Sequence, residues 1–312
     1  MAQHSNLVQI CLPTYNGEDH LAEALDSLLA QSHRNIEIVI MDNASTDATP
    51  EIAQNYARKD SRVRHFRSEH FVCASDNWNR AFEKIDRRRS EFMMWAGHDD
   101  LWSNDYVERL LRPLLKDRRC ILSFSNFRRI DSTGSVVLEN CFGDVPAYAK
   151  SALAAYRWLM GKGGGHCAIC GVLRLSALRW DPPFADTVFG GDLWFLLRLA
   201  TSGGLAYSSD QLLSKRLGGI SSTGEDASAK SMKDAELIWN IRHDEWRMID
   251  ALTIPFHAKL YVFLRLKVTA KLYFPAKPVE FYIWPWFAFH MLRINKRGLG
   301  IRSAVRNALF KG

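Results

Sequence analysis

Apolar positions along the first hundred residues follow two alternating rhythms. Leu7 to Leu12 (L-V-Q-I-C-L) is a short apolar run closed by Pro13, and Ile36 to Met41 (I-E-I-V-I-M) is β-branched, so both predict buried strands. Between them Leu21, Leu25, Leu28 and Leu29 share one face of a predicted helix from Glu18 to Ala30, with Glu18 and Asp19 at its positive end. The second strand runs into Asp42-Asn43-Ala44-Ser45-Thr46-Asp47, where Asp47 is placed to cap a helix from Ala48 to about Arg58. A strand at Val63 to Arg67, a helix from about Ser75 to Ile85 and a strand at Glu91 to Ala96 continue the alternation. Ser103 or Asn104 is placed to cap the next helix, through Val107, Leu110, Leu111 and Leu114.

Strands and helices alternating at this spacing predict βαβ units, hence an α/β fold with a mostly parallel sheet and flanking helices. In such sheets ligands bind beyond the carboxyl ends of the strands. Three of those ends carry polar residues: Pro13-Thr14-Tyr15-Asn16, Asp42-Asn43 and His98-Asp99-Asp100. They are expected to converge on one cleft.

Farther on the rhythm changes. Ile121 to Leu138 reads as extended segments around a D-S-T-G turn at Asp131 to Gly134, Gly161 to Gly165 as a loop, and Cys167 to Leu175 as another strand. Asp192 to Ala200 (D-L-W-F-L-L-R-L-A) reads as a helix starting after Gly190-Gly191. Beyond about Ala227 helical stretches are broken by Pro255, Pro275, Pro278 and Pro285. The expected organisation is a domain over residues 1–227, with a first half to residue 102 and a second from 103, followed by a helical segment over 228–312.

Charge sharpens that last boundary. From residue 251 onward eleven Lys and Arg face Glu280 alone, a net +10 that leaves about −3 on the first 250 residues of a chain with a formal net charge of +7. Phe281 to Phe289 (F-Y-I-W-P-W-F-A-F) and Leu260 to Leu264 are aromatic-rich and flanked by cations, which suits an interfacial membrane helix on anionic lipid. Packing on the first domain or on a second copy, as a homo-oligomer, is the competing use; no nucleic-acid motif accompanies the basic residues. No stretch reaches about 18 uninterrupted apolar residues, and the start lacks the pattern of a secretory signal. Six scattered cysteines read as reduced thiols. The expected location is cytoplasmic, peripheral to the inner face of the cell membrane.

The adjacent carboxylates of Asp99 and Asp100 are the strongest chemical signal. Two like charges at the end of a buried strand are costly unless something neutralises them, and a hard divalent cation, Mg²⁺ or Mn²⁺, suits such a pair. The competing reading has them cap the helix near Asn104. Cys167-Ala168-Ile169-Cys170 with His166 invites zinc, but no second ligand pair completes a site.

V-Q-I-C-L-P-T-Y-N-G (Val8 to Gly17), I-V-I-M-D-N-A-S-T-D-A-T (Ile38 to Thr49) and F-M-M-W-A-G-H-D-D (Phe92 to Asp100) together resemble the successive motifs of family 2 glycosyltransferases. The resemblance runs on more weakly through Gly190 to Trp194 and Leu213 to Ser222. It implies the GT-A nucleotide-sugar fold and transfer with inversion from a nucleoside diphosphate sugar to a hydroxyl of a glycan or lipid-linked acceptor, in assembly of cell-surface polysaccharide, lipopolysaccharide or glycoprotein glycan. Pro13, Thr14, Tyr15 and Asn16 would bind the nucleotide, with Tyr15 stacking on the base. Asp42 and Asn43 match the family's paired acids that read the base, the second being an amide here. Asp100 would hold the metal and Asp99 the ribose or the metal's shell. His98 stands where the family usually has a further acid, and both a donor contact and a packed histidine fit it. Asp192, with Gly191 in place of the usual Glu, would be the general base, against a reading as a mere helix cap. Lys215 and Arg216 would clamp the diphosphate or stand solvated. A sugar-nucleotide nucleotidyltransferase would want a Gly-rich basic loop after the first strand, which Pro13 to Asn16 is not. A non-catalytic membrane-attached scaffold would not need Asp42, Asp99, Asp100 and Asp192 together.

Overall fold

A computed structural model describes residues 6–217 except 144, 152–153, 156–158, 160–164, 180 and 185–190. The expected segment over 228–312 lies outside the described residues. The strands are β1 (Val8–Thr14), β2 (Ile36–Asp42), β3 (Val63–Arg67), β4 (Phe92–Trp95), β5 (Leu101–Trp102), β6 (Cys120–Ile130), β7 (Val136–Leu138), β8 (Tyr148–Ala149), β9 (Val172–Arg174) and β10 (Gly204–Arg216). The helices are α1 (Leu21–Leu29), α2 (Thr49–Lys59), α3 (Ala74–Glu83), α4 (Tyr106–Lys116) and α5 (Gly191–Leu199).

All these strands join one sheet of order β3-β2-β1-β4-β9-β6-β10-β5, with β7 beside β6 and β8 beside β10. The parallel architecture that alternation predicts occupies the first half: β1 pairs with β2 and β4, and β2 with β3, all parallel. Past β4 the pairing is mixed, because β9 enters antiparallel between β4 and β6. β6 and β10 are parallel again, and β10 turns antiparallel to β5.

Burial follows the rhythms. Every residue of β1 and β2 is buried, and α1 buries Leu21, Ala24, Leu25 and Leu28 as one stripe. Gln9 sits inside β1 without penalty because its amide donates to Glu37 Oε1 at 3.0 Å and accepts from the Asp86 N–H at 2.9 Å. Trp95, fully buried at the end of β4, is ringed by Trp78 (4.9 Å between centroids), Phe184 (5.5 Å) and Phe195 (6.5 Å). Phe195 belongs to α5, so this aromatic cluster ties the helix that begins at Gly191 to the strand that leads to Asp99 and Asp100.

Three local expectations change. Asp47 lies two residues before α2, outside its N-cap Ala48, yet its Oδ1 accepts the Thr49 N–H at 3.0 Å while Oδ2 accepts the Glu18 N–H. Neither Ser103 nor Asn104 caps α4 through its side chain; Gln31 Oε1 reaches across from the end of α1 to accept the Val107 N–H at 2.9 Å. Cys167 to Cys170 form part of a 3-10 turn (Gly165–Cys170), and only Val172–Arg174 is strand. A short apolar run is buried equally well in either form, so periodicity alone does not separate them.

Candidate active site

The polar strand ends do converge. β1 and β2 run in register with Thr14 opposite Asp42, and Asn43 N–H donates to Thr14 C=O at 2.9 Å. Ala96 N–H donates to Cys11 C=O at 2.9 Å, so the chain leaving β4 emerges beside the chain leaving β1. There the His98 ring packs on Gly17: a Cβ on that glycine would stand 2.6 Å from His98 Cδ2. Gly17 is therefore required as glycine, and His98 is a half-exposed wall between two strand ends.

Pro13 is buried within β1 opposite Met41, which makes it a strand residue under the site. Asn16 fastens loops: its N–H donates to Ser45 Oγ at 2.9 Å and its side-chain oxygen accepts from the Thr46 N–H at 3.0 Å. Asn16 and Ala44 both have positive φ, 45° and 57°. Such backbone is tolerated in non-glycine residues where surrounding contacts over-determine it, often at functional sites.

Asp42 is fully buried. Its Oδ1 accepts the Ser45 N–H at 3.0 Å, but its Oδ2 has no hydrogen-bond partner among the described residues. Arg67 Nε lies 3.2 Å from Oδ2, out of hydrogen-bond alignment, and is half exposed. Thr14 Oγ1, 2% exposed as a residue, is likewise unpartnered. A buried acceptor without an aligned donor costs about 1–3 kcal/mol, offset in part here by the Arg67 guanidinium beside it. Asn43 differs: its amide donates to Val72 C=O at 2.8 Å and accepts the Val72 N–H at 3.0 Å. Both ends of that amide are engaged in holding the loop after β3.

The second cluster forms where β10 meets the chain after β4. Asp100, 1% exposed, accepts from Lys215 Nζ at 2.7 Å on Oδ2 and from the Arg216 N–H at 3.3 Å on Oδ1. The helix-capping reading of Asp100 therefore falls. Burial pushes the Asp100 carboxyl up, Lys215 pulls it back, and Asp99 adds repulsion. Burial by itself would lower the Lys215 ammonium, but Asp100 and the thiols of Cys170 and Cys167 hold it well above its ordinary value. With its ammonium so held, Lys215 stays protonated.

Arg216 is spent on structure. Its Nε donates to Asp99 C=O (3.1 Å), its Nη1 to the carbonyls of Asp131 (2.9 Å) and Ser132 (3.0 Å), and its Nη2 to Glu23 (2.7 Å). Of the two residues expected at a diphosphate, Lys215 has a side chain 24% exposed with its ammonium paired to Asp100, while Arg216 ties the Asp99, Asp131 and Ser132 carbonyls to Glu23.

Asp192 stands half-buried in the first turn of α5. Cys170 lies within electrostatic range of it. Burial pushes that thiol up to about 11, with Lys215 lowering it and Asp100, Asp99 and Asp192 raising it. One buried sulfur thus senses three carboxylates and the ammonium together. Both C-x-x-C sulfurs are buried free thiols, and the described residues contain no group of three His, Cys, Asp or Glu able to hold a metal. Asp99 and Asp100 have the ligand chemistry that a hard divalent cation takes, one or two carboxylates with water and phosphate oxygens completing its shell, while in this structure both Asp100 oxygens are engaged by Lys215 and the Arg216 N–H. Both aspartates fold back over Gly97, where a Cβ would stand 2.9 Å from Asp100 Oδ2 and 3.1 Å from Asp99 Oδ1. Lys215 competes for the same Oδ2.

Sequence reasoning missed Arg67 and Glu23. Arg67 was within reach, since β3 places it in register with Asp42. Glu23 lies on α1, 193 residues from Arg216, with no local signal.

A mixed sheet with flanking helices, its polar residues gathered at the ends of the parallel strands, defines a nucleotide-sugar-binding fold of the GT-A class. Among solved structures, S. aureus TarS residues 1–349 in complex with UDP matches with a TM-score of 0.64 at 16% identity, over 83% of this chain and 69% of that one. The mannosyltransferase PcManGT from Pyrobaculum calidifontis, in complex with GDP-Man and Mn²⁺, matches with 0.51 at 15% identity, over 98% and 87%. The profile of Glycosyl transferase family 2 matches residues 9–179, over half of the chain, and the chain belongs to that family of glycosyltransferases. An uncharacterized glycosyltransferase of Rickettsia typhi is 34% identical over 130 residues, 41% of this chain and 38% of that relative. A second, from Rickettsia prowazekii, is 24% identical over 271 residues, 84% of this chain and 81% of its own length.

Proposed function

We propose that this chain is a divalent-cation-dependent, inverting glycosyltransferase that moves a sugar from a nucleoside diphosphate donor to a hydroxyl of a glycan or lipid-linked acceptor, in cell-surface glycan assembly. The observation that carries the reading is the convergence of the ends of β1 and β2 with the chain leaving β4, which brings Thr14, Asp42 and the Asp99-Asp100 segment to one end of the sheet, where Lys215 pairs with Asp100. The solved relatives in complex with UDP, and with GDP-Man and Mn²⁺, support it.

In the proposed reaction Asp42 receives a base N–H and Tyr15 stacks on the base. Asp192 takes the proton of the acceptor hydroxyl as that oxygen attacks the anomeric carbon, opposite the departing diphosphate. Lys215 presents positive charge toward the diphosphate, and Arg216 keeps it in place from behind. A bound Mg²⁺ or Mn²⁺, held by Asp100 with Asp99 at its shell or at the ribose, would supply Lewis-acid stabilisation of the leaving group. The place of action is the cytoplasmic face of a membrane, held by the basic aromatic segment; full-length protein should sediment with anionic vesicles and not with neutral ones.

A thermal-shift panel of UDP, dTDP, GDP and CMP, with and without Mn²⁺, tests the core of the reading. A nucleoside diphosphate should raise Tm, and more so with Mn²⁺; no stabilisation by any of them overturns it. Asp192→Asn should keep that shift and lose transfer, and undiminished turnover removes Asp192 as the base.

A further inference from the structure

Phe71 has no part in the proposed chemistry, yet its setting is built. Its ring is 50% exposed, on the loop between β3 and α3. A single exposed aromatic means little by itself. This one is held from both sides by the two residues that end β2. Ser68 N–H donates to Asp42 C=O at 2.8 Å, and Val72 exchanges two hydrogen bonds with the Asn43 amide. Arg80 Nη1 adds a bond to Ser68 Oγ at 2.8 Å. The loop is thereby fixed against the cleft, and the Phe71 ring lies 4.8 Å from the Tyr15 ring at an interplanar angle of 56°.

Two aromatic rings inclined in this way form an apolar corner. Tyr15 follows Thr14, whose partner across the sheet is Asp42, so the corner stands at the same strand end as that carboxylate, whose buried Oδ2 has no aligned hydrogen-bond donor among the described residues. A flat ring with one N–H on its edge fits both: its faces are satisfied by aromatic carbon and its N–H by Asp42. Uracil, thymine and guanine offer such an N–H, whereas cytosine and adenine present a ring acceptor at the matching position. With Asn43 engaged by Val72, stacking must carry a larger share of the binding than two acidic readers would leave to it.

We propose that Phe71 is the second aromatic wall of the base site, acting with Tyr15. The proposal rests on the nucleoside diphosphate reading above and adds a residue to it. Calorimetric titration of the full-length protein, in Mn²⁺, with UDP, dTDP, GDP and inorganic pyrophosphate tests it in Phe71→Ala and Phe71→Trp. Because the ring is half in water, its truncation should leave Tm nearly unchanged. Phe71→Ala should weaken the tightest of the three nucleotides about tenfold or more, as expected for a lost base–aromatic contact, leave pyrophosphate unchanged, and be rescued by Phe71→Trp. Wild-type nucleotide affinity in Phe71→Ala overturns the proposal while the nucleotide site stands, provided Asp42→Asn still loses binding. Equal weakening of pyrophosphate also overturns it, since the effect would then not pass through the base. If the wild-type protein binds none of the three nucleotides, the underlying reading fails and this proposal with it.

Discussion

Asp42, at the end of the parallel strand β2, and Asp100, in the chain between β4 and β5, are both buried carboxylates, and the protein treats them oppositely. At Asp42 one oxygen is open and the nearest cation, Arg67, is half exposed and misaligned. At Asp100 both oxygens are engaged, one by an ammonium with only 24% of its side chain exposed. The first arrangement keeps a hydrogen-bond acceptor for a neutral donor, and the second stores a charge already balanced. On the proposed reading, recognition and charge handling are separated along the sheet: the end assigned to the base leaves a polar group without an aligned donor, and the end assigned to the diphosphate holds its cation paired with Asp100.

The sharpest way to break the comparison is to remove one charge from the balanced end. Asp100→Ala leaves Lys215 buried against the thiols of Cys167 and Cys170 with no counter-charge. Breaking a buried pair from one side costs about 3–5 kcal/mol, and the partial exposure of Lys215 sets the expected loss near the lower figure. Adding Lys215→Met should recover much of it, because no uncompensated charge then remains. Chemical denaturation of the two single variants and the double variant checks this; equal stability of Asp100→Ala and wild type would mean the pair contributes nothing to the fold.

That pair was out of reach of sequence reasoning, and the reason is physical. The strand ends were legible because burial imposes a period on residues close in the chain: β3 was located to the residue, and β1, β2 and β4 within two. Lys215 reaches Asp100 only because β10 runs antiparallel to β5 with Ser214 opposite Leu101, a pairing between segments over a hundred residues apart. Local pattern carries no record of such pairing. The same holds for Asn43, whose motif resembles a base-reading pair but whose amide is taken up by the backbone of Val72. The places of the candidate residues at the strand ends were readable; what each one touches was not.

At the open end a smaller change should act on binding and spare the fold. In Asp42→Asn the amide oxygen keeps the Ser45 N–H, so the new NH₂ takes the place of Oδ2 and presents a donor to the base N–H. Nucleotide affinity should fall about 10- to 100-fold, the scale of a lost hydrogen bond to a charged group. Stability should move by about 1 kcal/mol or less, since Arg67 is half exposed and such pairs contribute little. Calorimetry and denaturation on the same variant separate the two effects. A large stability loss with unchanged affinity would invert the assignment of the two ends.

Asn43→Asp gives the smallest expected effect and the finest discrimination. The substitution installs the acid that the family resemblance implies at this position. If Asn43 were a base reader, the acid would serve at least as well. In the structure a carboxylate can still accept the Val72 N–H, but its other oxygen would face Val72 C=O with no proton between them. The loop carrying Phe71 should therefore loosen, at a cost to stability of about 1 kcal/mol, with a similarly modest loss of nucleotide affinity and none of pyrophosphate affinity. Amide exchange at Val72 should rise in step. Tighter nucleotide binding in Asn43→Asp, with Val72 exchange unchanged, would show that this residue reads the base directly and that the amide is a departure in specificity; the loosened loop would show that a family reading position has here become a tether.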